Sequence, residues 1–279
     1  MRMGATRISC SEYSFPAVPG QRERIGMVRL LGFELVDIAL FLADGAGLVA
    51  DPAGIAADLS ASLAAHGLAS EDIFLAVGET VEEIAPNQRD HALREQRRRE
   101  FAAAVRVASE LGIRGVTVLP GVTWAEDPAA SWSVCVDELS WRVEKAEALG
   151  VEVRIEPHAG SIAPVPELTA RLCDDVPRLR LTLDLSHFEL QSVSLDRMLT
   201  LVPLAGHLHV RAAKPGAIQV RWRDNETDFG ALVAALRSAG YGGAYCVEYV
   251  PMPKWRCDEM DVVTEALATR DALAELGVV

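Results

Sequence analysis

LRLTLDLSHF, residues 179–188, decides how this chain is read. The segment is a run of β-formers, and its carboxylate Asp184 and imidazole His187 come only at the downstream end. A buried strand has no reason to carry charge unless something offsets the cost of desolvation. Working outward, three more segments end the same way. VEVRIEPHAG (151–160) closes on Glu156 and His158, AGHLHVRAA (205–213) on His209 and Arg211, and AYCVEYV (244–250) on Glu248. Strands like these converging at one end of a sheet would bring three carboxylates and an imidazole around one point. That donor set describes a divalent-metal site, and a site of that kind points to an enzyme.

Strand-like and helix-like patterns alternate eight times along the 279 residues. The earlier strands are TRISCSEYSF, GFELVDIALF, IFLAVGE and GVTVLPG. Helical patterns cover 21–32, 52–67, 92–112, 133–150, 165–175, 194–204, 227–240 and 258–277. Gly32, Gly67, Gly112, Gly150 and Gly240 stand where left-handed helix-terminating residues belong. Alternating βα units imply a parallel sheet, and eight of them imply a closed (β/α)8 TIM barrel, expected as a single domain over 1–279. A doubly wound sheet should show a glycine-rich phosphate loop after its first strand, and SCSEYSFP has none. Catalytic residues of such barrels sit at the C-terminal ends of strands, which is where these polar residues fall. On the seventh strand His207, His209 and Arg211 share one face by their period of two, with His209 nearer the top. His209 is therefore the better ligand, and His207 reads as a satisfied core histidine.

A formal net charge of −13 argues against nucleic acid and anionic membranes as partners. The basic run REQRRR (94–99) shares its helix with Glu100 and reads as a solvated face. No apolar stretch reaches the roughly 18 residues of a membrane span, and MRMGATRISC lacks the apolar core of a signal peptide, so a cytoplasmic location is expected. The five cysteines, scattered and odd in number, suit reduced core thiols. Asp37 and Glu79 could line the pocket or cap elements, and Trp124 could wall it. Trp132 and Trp141 read as helix packing, His66 and His91 as surface residues, and the loop 212–225 with Trp222 as a rim.

Three carboxylates with one imidazole favour Mn2+, Mg2+ or Co2+ over a thiolate-type zinc site. The order of motifs resembles the sugar phosphate isomerase/epimerase branch of the xylose-isomerase-like TIM barrels. In that family strand five ends in Glu, strand six carries D-x-x-H, strand seven H-x-H, and strand eight ends in Glu. Here these are Glu156, DLSH with Asp184 and His187, HLH with His207 and His209, and VEY with Glu248. The resemblance implies that Glu156, Asp184, His209 and Glu248 bind a divalent metal, Mn2+ foremost, with Mg2+, Co2+ or Zn2+ as alternatives. It implies that His187 contacts substrate, and Arg211 and His158 are offered as further substrate contacts. The family's barrel helices commonly mediate homo-oligomers. Ketose 3-epimerases place an Arg six positions after the strand-seven His, where this chain has Pro215 and an early Arg211. The resemblance therefore leaves the substrate open.

The expected reaction is isomerisation or epimerisation of a keto-sugar or cyclitol through an enediolate, with Glu156 and Glu248 as the acid/base pair. The same site could instead eliminate a β leaving group, as a lyase or dehydratase acting on a keto-inositol, dehydroshikimate or 3-keto-glycoside. A non-catalytic sugar-binding subunit is a weaker reading. Endonuclease IV-type repair enzymes share the barrel but need extra histidines after strands two and three, where IALFLADG and LAVGETVE have none.

Overall fold

A computed structural model describes residues 7–42 and 45–278. Thr6, which heads the first predicted strand, and residues 43–44 after the second lie outside the described residues. The strands are β1 (Arg7–Ser11), β2 (Leu35–Leu42), β3 (Asp72–Val77), β4 (Gly115–Val118), β5 (Glu152–Ile155), β6 (Arg180–Asp184), β7 (Ala205–Val210) and β8 (Ala244–Val247). They follow one another in chain order around a closed barrel, as the alternating pattern predicted.

The chain divides into two compact units. In the first (7–38, 62–71 and 183–278), β2, β1, β8 and β7 pair side by side in parallel. Ser9 sits level with Leu35 and Cys246, Ser11 with Asp37, and His209 with Cys246. Because strand side chains alternate faces, this register puts Asp37, His207, His209, Cys246 and Glu248 on one face. The opposite parity, with Cys10, Val36, Val210 and Val247, is apolar and buried.

In the second unit (45–61 and 72–182, with 39–42), β3, β4, β5 and the start of β6 pair in parallel. Arg154 is buried here, with its Nη1 2.9 Å from Asp72 Oδ1 and its Nε 2.8 Å from Glu152 Oε1. Gly115 makes this possible: a Cβ at that position would lie 2.4 Å from the guanidinium carbon. Beside it Thr117 and Thr182 share a hydroxyl–hydroxyl bond of 2.5 Å.

Helix boundaries follow their capping chemistry. The helix expected from 133 begins at Pro128, because Asp127 accepts the Ala130 N–H at 3.0 Å and a proline in the first turn sacrifices no bond. The helix expected over 194–204 is a turn at Leu195–Leu199 followed by a 3-10 turn at Val202–Leu204. Pro203 has no N–H with which to continue it. Trp141 packs edge-on to Phe101 at 6.3 Å, as expected of a helix-packing residue. His66, expected at the surface, is half-buried against Gly26. Among the described residues, no helix is long and apolar enough to cross a membrane.

Replacing Asp72 with Ala should strand the buried Arg154 charge and lower the free energy of unfolding by about 3–5 kcal/mol. Urea denaturation should show this as a lower midpoint at unchanged slope.

Candidate active site

Each expected ligand stands at or just past the C-terminal end of its strand. Asp184 is the last residue of β6, Glu156 and Glu248 directly follow β5 and β8, and His209 lies one residue before the end of β7. All four are at least 95% buried. Each offers one ligand atom, and these atoms lie within 4.8 Å of one another. Three carboxylate oxygens and one imidazole nitrogen at such spacing fit a hard to borderline divalent cation.

Asp184 and Glu248 both have close cationic or imidazole partners. Asp184 Oδ1 accepts the Ser186 N–H at 2.9 Å, and its Oδ2 accepts from Arg211 Nε at 3.1 Å and from Arg211 Nη2. His187 Nε2 stands 3.9 Å from the same oxygen. Burial alone would raise the Asp184 pKa, but Arg211, His187 and the Ser186 amide together hold it down at about 2. Glu248 Oε2 lies 3.3 Å from His209 Nδ1 and accepts from Arg211 Nη2 at 3.1 Å. Burial opposes its ionisation too, and is outweighed by His209 and then Arg211, so its pKa falls below the ordinary range.

Arg211, offered from sequence as a substrate contact, thus bridges two of the expected ligands. Its backbone surroundings are fixed. The Ala212 N–H donates to Tyr249 Oη at 2.9 Å, and the Ala213 N–H to Asn225 Oδ1 at 3.1 Å. His187 lies on a helical turn, Ser186–Glu189, immediately after β6. His158, in the loop after Glu156, is buried, with its Nδ1 3.0 Å from the Ala159 carbonyl.

Below Glu248 a second buried group forms. Asp37, His207, His209 and Cys246 also bring ligand-type atoms within 4.8 Å of one another. His207 Nε2 is hydrogen-bonded to Asp37 Oδ2, and His209 Nε2 lies 4.0 Å from that oxygen. Desolvation by burial would raise the Asp37 pKa, but His207 outweighs it and the carboxyl stays low; burial drives the Cys246 thiol well up. His207 is therefore the satisfied core histidine the sequence suggested. Asp37, inside β2, is its partner. Glu79 is exposed, and its backbone N–H is taken by Glu83 at 2.8 Å.

Sequence reasoning missed two residues at this site. Trp255 stands edge-on to His187, ring centres 6.3 Å apart, on a loop where Trp255 and Arg256 both adopt left-handed backbone (φ 59° and 61°). Two non-glycine residues in that region store strain, which clusters at functional sites. Gln219 clamps the loop: its Nε2 donates to the Val250 and Cys257 carbonyls, and its Oε1 accepts the Val250 N–H. Tyr13, half-buried after β1, has its phenol pKa raised by burial and by the charge of Glu248. The prolines of VPMPKWRC mark a loop there, but nothing local to that string points back to His187.

A family model described as a xylose isomerase-like TIM barrel matches residues 27–272. No curated protein matches the chain. Among solved structures, an L-ribulose 3-epimerase is 18% identical, with a TM-score of 0.78 over 97% of this chain and 94% of that one. A 3-keto-D-glucoside 4-epimerase from E. coli is 20% identical, with a TM-score of 0.70 over 98% and 100%. A xylose isomerase-like TIM barrel protein from Mycobacterium smegmatis, in complex with magnesium, is 15% identical, with a TM-score of 0.73 over 97% and 96%.

A carboxyl whose folded pKa is depressed contributes stability above its unfolded value, and loses it as pH falls through the folded value. For Asp184 that window runs from its ordinary 3.8 down to about 2. In metal-free protein, the stability gap between the parent and Asp184→Asn should be constant above about pH 5 and shrink steadily below pH 4. Chemical denaturation across that range checks it.

Proposed function

The chain belongs to the xylose isomerase-like TIM-barrel family, and from that premise we propose a divalent-metal-dependent isomerase or epimerase acting on a keto-sugar or cyclitol. The observation that carries the reading is the buried set Glu156, Asp184, His209 and Glu248, whose ligand atoms lie within 4.8 Å of one another. The sugar epimerases that share the fold support it.

The four residues would hold the cation, with Mn2+ the best match to three oxygens and one nitrogen, and Mg2+, Co2+ or Zn2+ as alternatives. When bound, the ion supplies Lewis acidity to a carbonyl and its neighbouring hydroxyl, which acidifies the adjacent C–H. His209 and Arg211 keep Glu248 ionised at neutral pH, so it is a base before substrate arrives. One of Glu248 and Glu156 takes the proton from carbon, and the C–H electron pair moves into an enediolate. The other delivers a proton to the opposite face, which inverts that centre. His187, His158 and Arg211 would hold substrate oxygens, and Trp255 would present an apolar wall to the sugar ring. If a β substituent leaves before the proton returns, the same residues give elimination.

Purified protein with Mn2+ and a panel of ketoses and cyclitols in D2O tests this reading by NMR. Deuterium entering the recovered sugar or its epimer is the expected result. Loss of water or an aglycone would establish the lyase, and no exchange with any carbonyl compound would leave a binding protein. Glu156→Gln or Glu248→Gln should each slow exchange by about 10²–10⁴-fold.

Trp255→Ala should raise KM for the accepted sugar by about tenfold, in line with the ~1–3 kcal/mol of apolar contact it removes, while kcat changes little. Trp255→Phe should recover most of that affinity.

A further inference from the structure

We propose that Arg211 is an internal counter-cation competing with the divalent ion for the site, so that it sets how tightly metal is held. The proposal rests on the metal-binding reading above and deepens it.

The guanidinium touches two of the four donor residues, Asp184 and Glu248, at one carboxylate oxygen of each. Nε and Nη2 both donate to Asp184 Oδ2, and Nη2 also donates to Glu248 Oε2 at 3.1 Å. Arg211 is itself only 5% exposed, so it is committed to this position and does not stray between water and the site. Its charge is permanent, because the guanidinium does not deprotonate in a protein. Two carboxylates out of water need a cation, and Arg211 meets that need at both.

A divalent ion drawing on the same carboxylates meets two obstacles. It must share carboxylates that the guanidinium already engages, and it must then sit near a fixed positive charge in a low-dielectric pocket, where repulsion is weakly screened. The relief available is limited. The backbone just after it is stapled through Ala212 to Tyr249 and through Ala213 to Asn225, so the side chain is the part free to withdraw. Binding therefore couples metal entry to a swing of Arg211 away from at least one carboxylate. The freed N–H groups then face the substrate space, which joins its counter-ion role to the substrate contact proposed above.

Mn2+ binding to chelator-stripped protein tests this, read by calorimetry and by the electron paramagnetic resonance of free Mn2+. The proteins are the parent, Arg211→Met and Arg211→Lys. Arg211→Met should bind Mn2+ at least tenfold more tightly. Its metal-free melting temperature should fall below the parent's, and its metal-induced rise should exceed the parent's. Arg211→Lys, which keeps the charge without the two-pronged geometry, should fall between them, and it serves as the readout if Arg211→Met does not fold without metal. Equal or weaker binding by both variants, with the parent binding Mn2+, overturns the counter-cation proposal and leaves the metal site standing. Binding by neither parent nor variants overturns both. Binding that appears only when Arg211 is removed supports the proposal in its strongest form.

Discussion

Charge compensation at the ends of strands governs the rest of this structure. Asp184 and Glu248 are almost fully withdrawn from water, and burial on its own would push both toward neutrality. They stay ionised because His187, His209 and Arg211 crowd the same few ångströms. A neutral acid there could neither hold a cation nor begin as a base. The cost of desolvating these carboxylates is thus what makes them useful, provided that the compensating groups stay within reach.

The parallel register explains how so many ionisable groups share one place. With Cys246 level with both Ser9 and His209, alternate residues of four neighbouring strands are forced onto one face. Moving along β7 by one step of that face passes from His207, bonded to Asp37, to His209, next to Glu248. The two levels differ in chemistry. The lower one pairs an acid with an imidazole beside a thiol whose pKa is driven up by burial. The upper one carries more carboxylate than imidazole, which leaves it with an appetite for positive charge.

How much of this could be read from the chain depends on whether the information is local. A carboxylate or imidazole at the downstream end of an apolar strand announces both its boundary and its direction, so the strand-end positions of Glu156, Asp184, His209 and Glu248 were legible, as was the alternation that makes the barrel. The partners of those residues were not. Nothing near Asp72 predicts Arg154, eighty-two positions on, nor does anything near Asp37 predict His207. Gly115 looks like an ordinary strand-start glycine until the guanidinium it admits is seen. Helix ends erred where a single side chain outweighed periodicity, as with Asp127 and Pro203. Trp255 was invisible because its position depends on left-handed backbone and on three bonds from Gln219, thirty-six residues upstream.

Arg211 shows why local legibility stops short of mechanism. From sequence it was one more polar residue above a strand, equally suited to a phosphate, a carboxylate or a hydroxyl. Its contacts give it a prior engagement with Asp184 and Glu248, and any ligand it serves must compete with them. A lysine at that position could neutralise one carboxylate as a point charge. Only the planar fork of an arginine spans two while the backbone just after it is held by Tyr249 and Asn225. The residue type therefore follows from the closeness of the two acids, both of which its Nη2 reaches.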